Sequence, residues 1–181
     1  MKNIILGITG SISAYKAADI TNRLIDKNYQ VHVVMTHAAT AFITPLTMQA
    51  LSKHPVYTDV LQESNPSEIV HISLPQNADC ILIAPATANI IGKIATGIAD
   101  DMLSTLVLAA KSIPKLIAPA MNCVMYENEA VQANLKLLQQ RGWIIIDPRE
   151  ARLACGTHGK GALATVEDIV ATVVTILGEG A

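Results

Sequence analysis

The chain has little charge and almost no aromatic surface. Charged residues make up 15% of it and Phe, Trp and Tyr together 3%, where an average soluble domain carries about 25% charged residues. So little charge covers a monomer poorly, which predicts that much of the surface is buried against copies of the same chain. With 13 basic residues, 15 acidic ones and a net charge of −2, no basic patch or arginine-rich segment points to nucleic acid. The scarcity of rings also removes stacking platforms for bases. The three cysteines, Cys80, Cys123 and Cys155, are too few and odd in number for a disulfide framework. None sits in a C-x-x-C pair or a His/Cys grouping of zinc spacing, so no metal is expected. Reduced thiols fit a cytoplasmic protein. No apolar stretch approaches the ~18 residues of a membrane span. Gly7 and Gly10 interrupt the run after Lys2, which argues against a signal peptide. No linker, low-complexity tract or solenoid repeat divides the 181 residues, so 1–181 reads as a single domain.

What is present is alternation. Asn3 to Thr9 reads as a buried strand, Gly10-Ser11 as a turn, and Ser13 to Lys27 as a helix that stops at Asn28. Gln30 to Thr36 is a second strand, and 39–52 looks helical. Residues 56–68 are polar and irregular. Cys80 to Ala84, Lys115 to Ala118 and Trp143 to Asp147 read as strands, each followed by proline. Between them lie one or two helices over 89–110, broken at Gly97, and a helix over 127–141. A last helix over 165–177 opens on Thr165 with Asp168 behind it, a capping-box-like start. Strand–helix alternation predicts an α/β fold: a Rossmann-like (flavodoxin-like) three-layer sandwich with a mainly parallel sheet. Ligands of such sheets bind beyond the carboxyl ends of the strands. That confines the search to Gly10-Ser11, Thr36-His37, 85–89, 119–126 and 148–161.

The first of these turns suits a phosphate, because glycine lets the backbone approach and a helix start favours negative charge. It is not a full G-x-G-x-x-G pattern, and the second strand ends in Met35-Thr36-His37 without the acidic residue that holds an adenosine ribose. Hydroxyls at Ser11 and Thr36 fit one terminal phosphate, favouring a mononucleotide over a dinucleotide. Plain helix capping explains Gly10-Ser11 equally. Thr87 and Asn89 offer a hydroxyl and an amide to the polar edge of a flavin ring, or cap the helix that follows. In 119–126, Asn122 stands between Met121 and Met125; the alternative there is an ordinary loop with core methionines.

Taken together these segments resemble a known family. Pro119-Ala120-Met121-Asn122-Cys123-Val124-Met125-Tyr126 is similar to the P-x-M-N-x-x-M-W motif of the flavin-containing cysteine decarboxylases, with Tyr126 in place of tryptophan. Pro85-Ala86-Thr87-Ala88-Asn89-Ile90 resembles the family's P-A-S-A-N-T segment with two substitutions. Gly10-Ser11-Ile12 resembles its phosphate turn. His71, within Val70-His71-Ile72-Ser73-Leu74, resembles its active-site histidine. Arg152-Leu153-Ala154-Cys155-Gly156, continued by Gly159-Lys160-Gly161, resembles its substrate clamp. The five motifs run in the family's order along nearly the whole chain, and the most similar branch acts on 4′-phosphopantothenoylcysteine in stand-alone form.

The resemblance implies FMN as cofactor, held by Gly10, Ser11, Ile12, Thr36, Thr87, Ala88, Asn89 and Ala120. It implies His71, Asn122 and Cys155 as catalytic residues, and Asn122, Met125, Arg152 and Ala154 as substrate contacts. A simple α-carboxylate does not lose CO2 readily, because the carbanion has no electron sink. In the implied reaction the thiol is first oxidised to a thioaldehyde, CO2 leaves to give an enethiolate, and reduction then yields 4′-phosphopantetheine. Asn122 binds the carboxylate as a neutral donor, His71 manages the thiol proton, and Cys155 donates a proton in the reductive half. Arg152 grips a phosphate. Peptidyl-cysteine decarboxylases of the family stop at the enethiol and lack this cysteine. Flavin prenyltransferases share the fold but lack the Asn122 and Cys155 motifs. Phosphatase-inhibiting regulatory relatives carry long acidic extensions, and the chain ends at Gly178-Glu179-Gly180-Ala181 without one. The expected partners are the small-molecule substrate, copies of the chain in trimers or dodecamers built from trimers with FMN near subunit contacts, and a separate ligase chain that supplies substrate. Nucleic acid and membrane are not expected.

Overall fold

All six strands of the main sheet carry apolar residues on both faces, as strands covered on both sides must. The computed structural model describes residues 1–62, 69–152, 156 and 158–178. In chain order the sheet strands are β1 (Lys2–Ile8), β2 (Tyr29–Met35), β3 (Val56–Tyr57), β4 (Cys80–Ala86), β5 (Lys115–Pro119) and β6 (Ile144–Ile145). They lie in the order β3-β2-β1-β4-β5-β6, every pair parallel. This doubly wound order reverses direction between β1 and β4.

Strand alternation splits the core in two. Ile4, Leu6, Val31, Val33, Cys80 and Leu82 face one layer, which α1 (Lys16–Asp26) and α8 (Val166–Leu177) cover through Ile20, Leu24, Ile169 and Val173. Ile5, Val34, Ile81, Ile83 and Ile117 face the other. That layer is covered by α3 (Val70–Gln76), α4 (Ala88–Thr96), α5 (Met102–Ala109) and α7 (Glu129–Gln140). The remaining helices are α2 (Pro45–Ser52) and the short α6 (Cys123–Glu127). Burial pushes the Cys80 thiol up to about 12, with Asp79 adding to it, so this cysteine is inert core.

Local signals set most boundaries. Asn28 adopts a left-handed conformation after α1, and Gly97 ends α4. The Thr165 hydroxyl accepts from the Asp168 N–H at 3.1 Å and donates to the Asp168 carboxylate at 2.6 Å, a start that the spacing predicts.

The differences are local. A 3-10 turn over Ile12–Tyr15 precedes α1, and another over His37–Ala41 replaces the start of the helix expected from 39. The helix proper, α2, begins at Pro45 with the Thr44 hydroxyl accepting from the Thr47 N–H. The helix expected over 127–141 begins at Glu129, where the Asn128 Oδ1 caps it by accepting from the Ala130 N–H, and α6 precedes it. The α3 helix was not expected: its Pro75 has no N–H to bond back along the helix, and α3 stops one residue later at Gln76. A hairpin of β7 (Arg149–Arg152) and β8 (His158–Ala162) occupies a stretch expected to be loop.

Candidate functional site

A row of hydrogen bonds ties the carboxyl ends of the strands together. The Thr36 N–H donates to Ile8 O at 3.0 Å, and the Ala120 N–H to Ala86 O at 2.9 Å. At the switch point the buried Thr9 hydroxyl donates to Pro85 O at 2.7 Å and accepts from the Thr87 N–H at 3.0 Å. The Ala84–Pro85 peptide there is cis. Gly10 follows directly. A Cβ at this position would sit 2.6 Å from Ala38 Cβ and 3.1 Å from the Ala38 carbonyl carbon. Close packing of the turn after β1 on the turn after β2 therefore requires this glycine, whatever ligand it also serves.

The hairpin supplies a wall above this floor. The Met121 N–H donates to Gly161 O at 2.9 Å. A Cβ on Gly161 would lie 2.4 Å from Met121 O, and one on Gly159 2.9 Å from Cys123 Cβ. These glycines let β8 lie directly on the 121–123 backbone. Between floor and wall opens a cleft of about 380 Å³. Of the residues singled out in the sequence, Ser11, Ile12, Ala120, Asn122 and Arg152 line it. The Asn122 Oδ1 accepts from the Val124 N–H at 2.8 Å and so caps α6. That bond engages the carbonyl oxygen of the amide. Tyr126, buried in α6, packs in the second core layer, and the Lys160 ammonium sits 5.7 Å from its ring centre.

Other expected residues lie outside that lining. Gly10, Thr36, Thr87, Ala88 and Asn89 belong to the floor: Thr87 caps α4 by accepting from the Ile90 N–H at 3.4 Å, and Ala88 and Asn89 form its first turn. Met125 is half exposed on α6. His71 is half-buried on α3, which packs on α5, and does not line the cleft. Ala154 and Cys155 lie outside the described residues.

The floor offers a hydrogen bond to a bound ligand. Thr36 Oγ1 is buried at the end of β2 and, among the described residues, has no hydrogen-bond partner. A buried hydroxyl without a partner costs about 1–3 kcal/mol, which a bound ligand oxygen would relieve. Among the described residues no group of three or more His, Cys, Asp or Glu side chains is placed to hold a metal ion.

Sequence reading missed Lys16 and Arg149, which both line the cleft. Burial lowers the Lys16 pKa from its ordinary value and Arg149 lowers it further, with Glu167 opposing. The available signal was positional: Lys16 follows the Gly10-Ser11 turn by about a helical turn and a half, and Arg149 directly follows the proline that ends a strand.

The Flavoprotein family model matches residues 1–178. The chain is 48% identical over 170 residues to a probable phosphopantothenoylcysteine decarboxylase of Streptococcus mutans, covering 93% of this chain and 95% of that protein. It is 52% identical over 169 residues to the coenzyme A biosynthesis bifunctional protein CoaBC of Bacillus subtilis, covering 93% of this chain. It spans only 41% of the length of that bifunctional relative. Among solved structures, a cysteine-to-serine variant of PPC decarboxylase complexed with pantothenoylaminoethenethiol superposes with a TM-score of 0.87 at 30% identity, over 96% of this chain and 97% of the other. The FMN-dependent cysteine decarboxylase SpaF gives 0.85 at 32% identity, over 98% and 95%.

Proposed function

The chain belongs to the flavoprotein family, and from that premise we propose that it is an FMN-dependent decarboxylase converting 4′-phosphopantothenoylcysteine to 4′-phosphopantetheine in coenzyme A biosynthesis. The observation that carries this reading is the cleft, where Asn122 and Arg152, from two distant motifs, face the Ser11–Ile12 turn and Ala120. Similarity to a stand-alone relative over 95% of its length supports it.

Gly10, Ser11, Ile12, Thr36, Thr87, Ala88, Asn89 and Ala120 would hold FMN; when bound it would supply two-electron oxidation of the substrate and, after CO2 loss, the matching reduction. The Asn122 amide binds the substrate carboxylate through its N–H, without the ion pair that would hold the carboxylate in place. Met125 and Ala154 pack along the substrate. His71 takes the thiol proton, and Cys155 returns a proton to carbon. A free cysteine has a pKa of about 8.5 and is mostly protonated at pH 7, as an acid must be.

His71 does not line the cleft of its own chain, and a second copy of the chain would supply that histidine. The exposed Ile12, Tyr15, Val124 and Met125 around the cleft give such a copy an apolar rim to cover, which supports trimers or dodecamers built from them. Two core layers sharing one sheet support a single flavin-binding domain. Substrate comes from a separate ligase chain. Among the described residues no helix is long and apolar enough to cross a membrane, and we place the work of the protein in the cytoplasm.

Product mass after anaerobic incubation with 4′-phosphopantothenoylcysteine tests the reading. Loss of CO2 alone is expected. Loss of CO2 and two hydrogens with bleached flavin would make the chain an enethiol-forming relative, and no reaction would overturn the substrate.

A further inference from the structure

The cleft holds more positive charge than the carboxylate chemistry at Asn122 uses. Its lining includes Lys16, Arg149 and Arg152 and, among the described residues, no Asp or Glu. This is a strong local excess in a chain whose net charge is −2. The carboxylate whose field reaches Lys16 is Glu167, and Arg23 holds that one at 2.8 Å. Among the described residues neither Lys16 nor Arg152 forms an ion pair or side-chain hydrogen bond. The Arg149 Nε donates to Leu163 O at 3.1 Å, which anchors the guanidinium of a residue that lines the cleft.

Arg149 and Arg152, at the two ends of β7, both line the cleft. Where β7 pairs with β8 the register shifts between Arg149 and Glu150, and β8 carries the extra residue, Gly161. Lys16, on the first turn of α1, closes the group from the floor side. Lys16 and Arg149 repel each other across a partly buried space. Two forked guanidiniums and an ammonium, beside the hydroxyls of Ser11 and Ser13, match the several oxygens of a phosphate monoester dianion better than a single carboxylate.

We infer that Lys16 and Arg149, acting with Arg152, clamp the terminal phosphate of the substrate and make the enzyme select the phosphorylated substrate over its dephosphorylated form. This rests on the substrate class proposed above. The same phosphate chemistry has a second source in FMN, and the test separates the two.

Calorimetry on the FMN-loaded protein with 4′-phosphopantothenate and with pantothenate reads the clamp directly. The wild type is expected to prefer the phosphorylated ligand by about 100-fold or more, and Lys16→Met and Arg149→Gln each to cut that preference about tenfold, the loss of one charge-assisted contact. Lys16→Arg and Arg149→Lys keep the charge and should recover part of the preference; they serve if the neutral variants fail to fold. FMN content after gel filtration should match the wild type. A wild type that binds both ligands equally, or variants that keep the full preference, would overturn the clamp. Variants that shed FMN while keeping the preference would give these cations to the flavin phosphate and overturn the assignment to substrate. Decarboxylation is scored separately. A phosphate preference without turnover sinks the proposed reaction and leaves the clamp, whereas turnover without preference sinks the clamp alone.

Discussion

The floor and the wall of the cleft are built by opposite means. The floor is the carboxyl edge of a buried sheet. Its strands are closed by backbone bonds, and the Thr9 hydroxyl bridges Pro85 O and the Thr87 N–H. The wall is a two-stranded hairpin whose residues are mostly exposed or half-buried, seated on the 121–123 backbone through glycines. A floor of this kind holds a cofactor in place because hydrophobic layers on both sides fix it. A wall resting on one close backbone contact can be tuned, or lost, without disturbing either core layer.

That contrast can be tested where the two meet. The largest effect is expected from Asn122→Asp. The new carboxylate still accepts from the Val124 N–H and caps α6, so the fold and bound flavin should be kept. Decarboxylation should fall by at least about a thousandfold, since a second negative charge repels the substrate carboxylate. Turnover within tenfold of wild type would remove Asn122 from carboxylate binding. Next comes Gly161→Val, whose side chain would begin 2.4 Å from Met121 O. Overpacking of this kind costs about 1–3 kcal/mol, and here it should lift the hairpin: substrate affinity lost by roughly a hundredfold, FMN absorbance unchanged. Loss of FMN as well would mean that wall and floor are one unit.

Thr9→Val attacks the floor instead. It leaves a buried carbonyl and a buried N–H without their partner, at a cost of about 2 kcal/mol in chemical denaturation. It should also weaken FMN retention by displacing Thr87. A variant as stable as wild type would show that water or flavin satisfies those groups. The smallest effect belongs to Gly92→Ala in the middle of α4. Its Cβ meets only Asn134 Nδ2 at 3.7 Å, so helix propensity should stabilise the protein by about 0.5–1 kcal/mol with no change in activity.

The legibility of these regions in the sequence differs for the same reason. β4, Cys80–Ala86, is apolar throughout and bounded by punctuation, so its strand and its burial on both faces follow from pattern alone. β7 reads Arg-Glu-Ala-Arg and β8 His-Gly-Lys-Gly-Ala. Neither has the alternation that marks a strand, because what they bury is another segment's backbone and not side chains of their own. The glycines there were legible as a motif but not as a docking surface. Gly10 was legible as a turn residue suited to phosphate, yet the contact that excludes a side chain there is with Ala38, distant in sequence. His71 could be singled out by resemblance. That it does not line the cleft holding Asn122 could not be known before the fold.

Periodicity, caps and turn residues act over a few positions, and they were enough to determine the strand–helix alternation, the Thr165 cap, the stop at Gly97 and the five segments at the strand ends. Which of those segments share a cleft depends on strand order and on how β8, with its extra residue Gly161, settles on the Asn122 loop. Those are contacts between residues tens of positions apart. Only the folded backbone brings Lys16 and Arg149 to the same cleft, because no short-range rule relates the first turn of one helix to a strand more than a hundred residues later.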